Sequence, residues 1–346
     1  MDPDLLLAGL ATGNTAALAR AISVVENGRP GFERLLAEVH RSIGRARRIG
    51  VTGPPGAGKS TLVERVVAAY RAAGLRVAVI AVDPTSPFTG GALLGDRIRM
   101  ESVALDQGVY IRSMGSRGSL GGLATTTGEV ADLLDAAGFD RILLETVGVG
   151  QSELDVARMV DTTILMLVPE SGDGIQTLKS GVMEIADVFV VNKADRPGAE
   201  KLRQEIEVTL GIRRGNAFRG LPAHHGFQGR RTAAPVVARA PADQVWDHPV
   251  VLATATAGEG IPELLTLLDR HHEWLGATGE LTVRRRRRLL DRTREVVNRA
   301  TRRWIWEETR AESMITERLD EVVEGRLSPY DVATEVLEGI RQGERI

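Results

Sequence analysis

The sequence contains no cysteine. That excludes a disulfide framework, a thiol nucleophile and every zinc site built on thiolate ligands, and it suits a reducing cytoplasm. Long apolar runs are missing too, so no segment is expected to cross a bilayer. The start, Met1-Asp2-Pro3-Asp4, is acidic and leads into an amphipathic stretch, which does not read as a secretion signal. Net charge is scarce: the formal value is -2, so the globally basic field of a nucleic-acid binder is lacking. Lysine is the rarest cation. Only Lys59, Lys179, Lys193 and Lys201 stand among 44 basic residues, the rest being arginine. An ammonium is a compact point charge that a planar guanidinium does not replace freely at a phosphate or a base, so the lysines that persist are worth following.

What is present is a chain of 346 residues with a 43% apolar share, enough for one large α/β domain with helical additions. Residues 4–47 show helix-like apolar spacing with cap signals, Asn14-Thr15 ahead of Leu18, Ala21 and Ile22, and Pro30 ahead of Leu35, Leu36 and Val39. The rhythm then changes to short β-rich runs separated by helical periods: Arg48–Val51, Arg76–Val82, Gly108–Ile111, Arg141–Leu144, Thr162–Leu167, Val188–Val191 and Val250–Thr254. Such alternation predicts a mostly parallel sheet with helices on both faces. Residues 213–248 break the pattern with Arg, Gly, His and Pro, and read as a surface insertion. From Leu281 the chain is helical again, and Ser328-Pro329 is a start signal for a last helix. The expected organisation is an N-terminal helical extension over 1–46, a core domain over 47–276, and a C-terminal helical arm over 277–346. Trp304 and Trp306 lie close together on that arm, which is too thin to cover them and is expected to pack on a second copy, folding back on the main domain being the alternative.

Directly after the first strand comes Gly53-Pro54-Pro55-Gly56-Ala57-Gly58-Lys59-Ser60-Thr61, followed by a helical stretch. This G-x4-G-K-[ST] pattern, in strand-loop-helix context, is a phosphate-binding loop. Its glycines turn backbone N–H groups inward, the helix N-terminus adds partial positive charge, Lys59 reaches the β and γ oxygens as the catalytic cation, and Ser60 can ligate Mg²⁺. A hard cation there needs a strand-end acid. Asp83, in Asp83-Pro84-Thr85-Ser86, and Glu145, in Glu145-Thr146-Val147-Gly148, both qualify, and Asp96 lies in a Gly-rich segment between them. The acid-x-x-Gly form at Glu145 is the one expected where a γ-phosphate draws a loop inward.

After Val188–Val191 stands Asn192-Lys193-Ala194-Asp195. A carboxylate at Asp195 can accept from N1–H and the N2 amino group of guanine, whereas adenine offers an acceptor at N1 and would leave it unpaired. Lys193 can lie along the ring while Asn192 ties the loop together. Farther on, Ala253-Thr254-Ala255-Thr256 closes the last strand where a backbone N–H could meet guanine O6, with Thr254 and Ala255 as the candidate binding residues. GTP and GDP, with Mg²⁺, are the expected ligands.

With these motifs the chain resembles the MeaB/ArgK/MMAA family, GTPase chaperones of adenosylcobalamin-dependent acyl-CoA mutases in the SIMIBI class of P-loop proteins. The likeness runs through Gly53–Thr61, Val82-Asp83-Pro84, Gly95-Asp96-Arg97, Glu145–Glu153, Gly172–Lys179 and Asn192–Asp195. It implies that Ser60, Asp83, Asp96 and Glu145 surround Mg²⁺ and that Glu145 takes part in catalysis. It implies that Asp173, Gln176 and Lys179 report nucleotide state to the mutase, and that the last helices are a homodimerisation arm. Segment 213–248 is longer and more basic than the resemblance leads one to expect.

Other features suggest less. Arg284–Arg288 are five arginines that cannot share one helix face, so two or three should simply be solvated, and a nucleic-acid or lipid patch is the lesser reading. His224-His225 and His271-His272 invite a metallochaperone reading, but adjacent helical histidines diverge and no cysteine assists them. Gln151 invites comparison with a water-positioning glutamine, and no arginine finger is evident, so hydrolysis should be slow alone and faster with a partner. Two alternatives stand beside the GTPase: an ATPase or kinase linked to basic amino-acid transport, and a dimeric scaffold with structural nucleotide.

Overall fold

A computed structural model describes residues 3–83, 100–115, 122–146, 152–169, 181–213 and 245–341. The chain divides into two compact units, 1–288 and 289–346.

The first unit opens with three helices, α1 (Pro3–Ala11), α2 (Thr15–Glu26) and α3 (Phe32–Val39). Asn14 caps α2, its side-chain oxygen accepting from Ala16 N at 2.9 Å and Ala17 N at 3.0 Å. These satisfy two of the orphan donors of the first turn. Then come β1 (Arg47–Thr52), α4 (Lys59–Ala72), β2 (Val77–Asp83), the short α5 (Glu101–Ala104), β3 (Val109–Gly115), α6 (Gly122–Ala136) and β4 (Arg141–Thr146). They are followed by α7 (Ser152–Met159), β5 (Thr162–Leu167), β6 (Val188–Asn192), α8 (Ala199–Arg213), β7 (Val250–Ala253) and α9 (Ile261–Thr278).

The seven strands form one sheet in the order β3-β2-β4-β1-β5-β6-β7, every pair parallel. The expected mostly parallel α/β sheet is what the chain forms. Period-two alternation divides the core between the faces. Ala78, Ile80 and Val82 of β2 join Ile142 and Leu144 of β4 beneath α1–α3 and α6. Val77 and Val79 join Leu143, Ile49 and Val51 beneath α4 and α9. The N-terminal helices therefore share a core with the sheet.

Helix α10 (Glu280–Arg303) begins in the first unit. Of the arginines over 284–288, two are solvated and three are paired. Arg284 pairs with Asp187, and Arg285 and Arg288 pair with Asp161, while Arg286 and Arg287 are exposed. Asp161 and Asp187 are buried residues that immediately precede β5 and β6. The reason is charge pairing across the fold: two buried carboxylates need partners, and this face of the helix supplies them.

In the second unit, α11 (Ala311–Val323) and α12 (Pro329–Arg341) are joined by Arg318, which pairs with Glu335 at 2.8 Å. Ser328 and Asp331 cap α12 reciprocally, Ser328 N donating to Asp331 Oδ2 at 2.8 Å and Asp331 N to Ser328 Oγ at 3.2 Å. Only Ala311, Val332 and Val336 of these two helices are buried. Trp304 and Trp306 are 44% and 47% exposed, a large apolar surface for a segment this thin.

Candidate nucleotide site

The phosphate loop leaves β1 at the carboxyl end of the sheet, where open α/β sheets gather their ligands. Two glycines are required there. Gly53 has φ 142° and a Cβ on it would run into the Met166 carbonyl. Gly58 has φ 91°, and a Cβ would lie 2.6 Å from Asn192 Nδ2. Lys59 is buried at the start of α4, its Nζ donating to Gly53 O at 2.8 Å and Pro54 O at 2.9 Å. The ammonium thus lies inside the curve of the loop it is expected to serve. Gly56 and Ala57 complete the turn, with Ala57 N donating to Pro54 O at 3.3 Å. Pro55 is exposed at the loop's outside, and Thr61 sits in the first turn of α4.

Ser60 Oγ donates to Glu145 Oε1 at 2.6 Å. The register explains this meeting: Glu145 of β4 pairs with Val51 of β1 on one side and Ala81 of β2 on the other. The strand-end acid therefore arrives beside the first turn of α4. A hydroxyl and a carboxylate at this spacing are hard oxygen donors of the type Mg²⁺ takes, with room in its shell for water and phosphate. Among the described residues no three His, Asp or Glu side chains gather as a metal cluster. Asp83 ends β2, opposite Gly115 in register, and its side chain is outside the described residues. Asp96, Gln151, Asp173, Gln176 and Lys179 also lie outside them.

Asn192, at the carboxyl end of β6, is buried and joins two loops. Its Nδ2 donates to Ala57 O at 2.8 Å and its Oδ1 accepts from Ala255 N at 3.0 Å. Lys193 follows with φ 57°, a left-handed conformation that costs a residue with a side chain about 1 kcal/mol or more and clusters at functional sites. Ala194 N donates to Ala253 O at 3.0 Å, holding the turn that exposes Asp195.

In the loop after β7 several backbone donors are taken within the protein. Ala255 spends its N–H on Asn192, and Thr254 N donates to Glu259 O at 3.2 Å. Neither residue presents a free backbone donor; both hold the loop. Among residues 254–258 it is Thr256 whose N–H has no acceptor among the described residues. Sequence reasoning also missed Arg65 of α4, which donates to Ala255 O at 3.2 Å and Thr256 O at 2.6 Å. No local signal marks an arginine on a helix as the partner of a loop 190 residues away.

At the opposite, amino end of the sheet, Asp187 accepts from Thr163 N at 2.8 Å and from Arg284. Burial by itself would raise its pKa, but the nearby His271 ring, with Nε2 at 3.4 Å, and the Arg284 guanidinium outweigh it and hold the value at about 2. His271 is fully buried, its Nδ1 2.8 Å from Thr162 Oγ1 and its ring stacked on Trp274. His272 is lowered to about 4, chiefly by burial and then by the charge of Arg47. These two histidines belong to packing at the base of the sheet. His224 and His225 lie outside the described residues.

Comparison with known proteins adds to this geometry. Residues 18–310 match the family model described as methylmalonyl-CoA mutase-associated GTPase MeaB. A Mycobacterium tuberculosis protein named as a probable GTPase is 39% identical over 338 residues, 95% of this chain and 94% of its own. The mouse methylmalonic aciduria type A homolog, named as mitochondrial, is 37% identical over 300 residues, covering 82% of this chain and 66% of its own. The crystal structure of a LAO/AO transport system kinase matches with a TM-score of 0.66 at 27% identity, over 98% of this chain and 97% of its own.

Proposed function

We propose, on the premise that the chain belongs to the family of methylmalonyl-CoA mutase-associated GTPases (MeaB), that it hydrolyses Mg²⁺-GTP and couples the reaction to an adenosylcobalamin-dependent acyl-CoA mutase. In this reading the change between GTP and GDP forms gates cofactor loading and protects the loaded mutase. The observation that carries the nucleotide part is Asn192, a single side chain bonded both to the phosphate loop and to the loop after β7. Phosphate and base recognition are thereby tied into one rigid unit.

The roles of the residues follow from their chemistry. Lys59 leaves the carbonyls of Gly53 and Pro54 to meet the β and γ oxygens, and the loop N–H groups from Gly53 to Thr61 cradle the β-phosphate. Ser60 and Glu145, with Asp83 and Asp96, are the oxygen donors for Mg²⁺, which when bound neutralises charge building on the transferred phosphoryl group. Lys193 covers the base and Asp195 accepts from its N1–H and N2 amino group. Asp173, Gln176 and Lys179 are the coupling segment, and the exposed apolar surface around Trp304 and Trp306 is the homodimer contact. A cytoplasmic setting goes with this reading.

The mutase part is supported by the family's description and by the mouse relative's name. Its test is the rate of GTP hydrolysis by the full chain with and without an adenosylcobalamin-dependent acyl-CoA mutase. Acceleration by the mutase is expected, and Lys179→Ala should keep the basal rate while losing the acceleration. Identical rates with and without mutase would sink the coupling.

The name of the matched transport system kinase keeps an ATP-dependent reading in view. Asp195 argues against it, because adenine places an acceptor where the carboxylate needs a donor.

A further inference from the structure

The segments that would select the base leave adjacent strands side by side, since Asn192 of β6 pairs with Ala253 of β7 in register. Past Ala253 the chain makes a tight loop closed by Thr254 N donating to Glu259 O, Ala257 N to Thr254 O at 2.9 Å and Gly258 N to Ala255 O at 3.2 Å. Two side chains from elsewhere hold it. Asn192 takes the N–H of Ala255, and Arg65 takes two consecutive carbonyls, Ala255 O through Nε and Thr256 O through Nη2. A planar guanidinium with its fork of donors can span two neighbouring carbonyls in a fixed geometry, which a single ammonium cannot.

The consequence for the backbone is directional. In a trans peptide the N–H points opposite to the C=O. With the Ala255 carbonyl drawn to Arg65, the N–H of the same peptide, that of Thr256, is turned away from α4. This N–H has no acceptor among the described residues, while those of Thr254, Ala255, Ala257 and Gly258 are all donated within the protein. An oriented backbone donor in the loop next to the one that carries Asp195 is what a purine with a carbonyl oxygen at position 6 requires, and what an amino group at position 6 would clash with.

We propose that Arg65 is a positioning residue for base selection, aiming the Thr256 N–H at the guanine carbonyl by holding the carbonyls of Ala255 and Thr256. The inference rests on the guanine-nucleotide reading of the site and adds to it a residue from the phosphate-side helix. Because Arg65 stands six residues after Lys59 on α4, the same rigid helix sets both ends of the nucleotide. Arg65 is itself exposed, so removing its head group should leave the core intact.

The test is calorimetric titration of the full chain in Mg²⁺ with GDP, ADP and pyrophosphate, for wild type, Arg65→Ala, Arg65→Met and Arg65→Lys. Arg65→Met keeps the aliphatic stem on α4 and guards against a folding defect in the alanine variant. In Arg65→Ala and Arg65→Met, GDP should weaken on the order of tenfold, the worth of one oriented hydrogen bond. Affinities for pyrophosphate and ADP should hold, so that the GDP-to-ADP ratio falls, and Arg65→Lys should recover part of it. An unchanged ratio in Arg65→Met overturns the proposal. So does a parallel loss of GDP and pyrophosphate, which would place Arg65 in the integrity of α4 rather than in the base loop. A wild-type chain that takes ADP as well as GDP overturns instead the guanine reading on which the proposal stands.

Discussion

Arg284 meets Asp187 in a two-pronged ion pair, Nη2 to Oδ1 at 2.8 Å and Nη1 to Oδ2 at 2.9 Å, at the opposite end of β6 from Asn192. Arg285 and Arg288 do the same for Asp161 before β5 and add bonds to the carbonyls of Gly44 and Met159. The root of α10 is thus fastened to the amino ends of two central strands. Removing Arg284 leaves the buried Asp187 charge without its guanidinium, so Arg284→Ala should lower the unfolding free energy by about 3 kcal/mol or more, read from denaturant midpoints. A change below about 0.5 kcal/mol would show that water enters and replaces the lost partner.

That fastening also fixes where the chain can be cut. A fragment ending at residue 280 lacks Arg284, Arg285 and Arg288 and strands Asp161 and Asp187, whereas one ending just past Arg288 keeps all three. The longer fragment should melt higher and bind GDP. Light scattering on both the full chain and this fragment tests the dimer contact around Trp304 and Trp306: a dimer is expected for the former and a monomer for the latter.

Acid should destabilise the protein in two stages. His272 has its folded pKa lowered from 6.5 to about 4. Between those values the unfolded chain binds the extra proton, so stability falls as pH drops through that window. Asp187 is lowered from 3.8 to about 2, and its contribution, on the order of 2 kcal/mol, is present above the unfolded value and disappears as pH falls from about 4 to about 2. Chemical denaturation at pH 7, 5 and 3 measures both stages, and His272→Gln should flatten the first while leaving the second.

Lys59→Ala should lower GTP hydrolysis by on the order of a hundredfold or more, because it deletes a charge aimed at phosphate. The fold should survive, since Nζ donates to backbone carbonyls of its own loop, Gly53 O and Pro54 O. Normal turnover in this variant would remove the phosphate-site assignment.

Ser60 and Glu145 give a separate handle on the metal. Glu145→Gln weakens one oxygen donor without changing its size, and the Mg²⁺ concentration for half-maximal hydrolysis should rise on the order of tenfold or more. An unchanged Mg²⁺ requirement would mean that the Ser60–Glu145 bond is structural and that the metal is held elsewhere.

The sequence by itself determined the parts of this protein whose chemistry is local. A phosphate loop needs its glycines, Lys59 and Ser60 within one strand-loop-helix turn. The Asn192–Asp195 motif needs only to follow a strand, and period-two apolar runs suffice to announce a parallel sheet. All of that is legible over short spans because backbone conformation and hydrophobic periodicity act over short spans. What only the tertiary structure decided are pairings between residues far apart in the chain. That five arginines over 284–288 could not share one face was legible, but which of them are paired was not, because their buried partners Asp161 and Asp187 stand about a hundred residues earlier. The segment Ala253–Thr256 was legible as a source of backbone donors, but that Asn192 takes the N–H of Ala255 was not. Arg65 carried no signal at all, since its two carbonyl acceptors are brought to it by the parallel register of β6 and β7 and by the placement of α4 on the sheet. Sequence patterns state which groups a segment offers. Which group each one meets depends on strand order and burial, and these are properties of the whole fold.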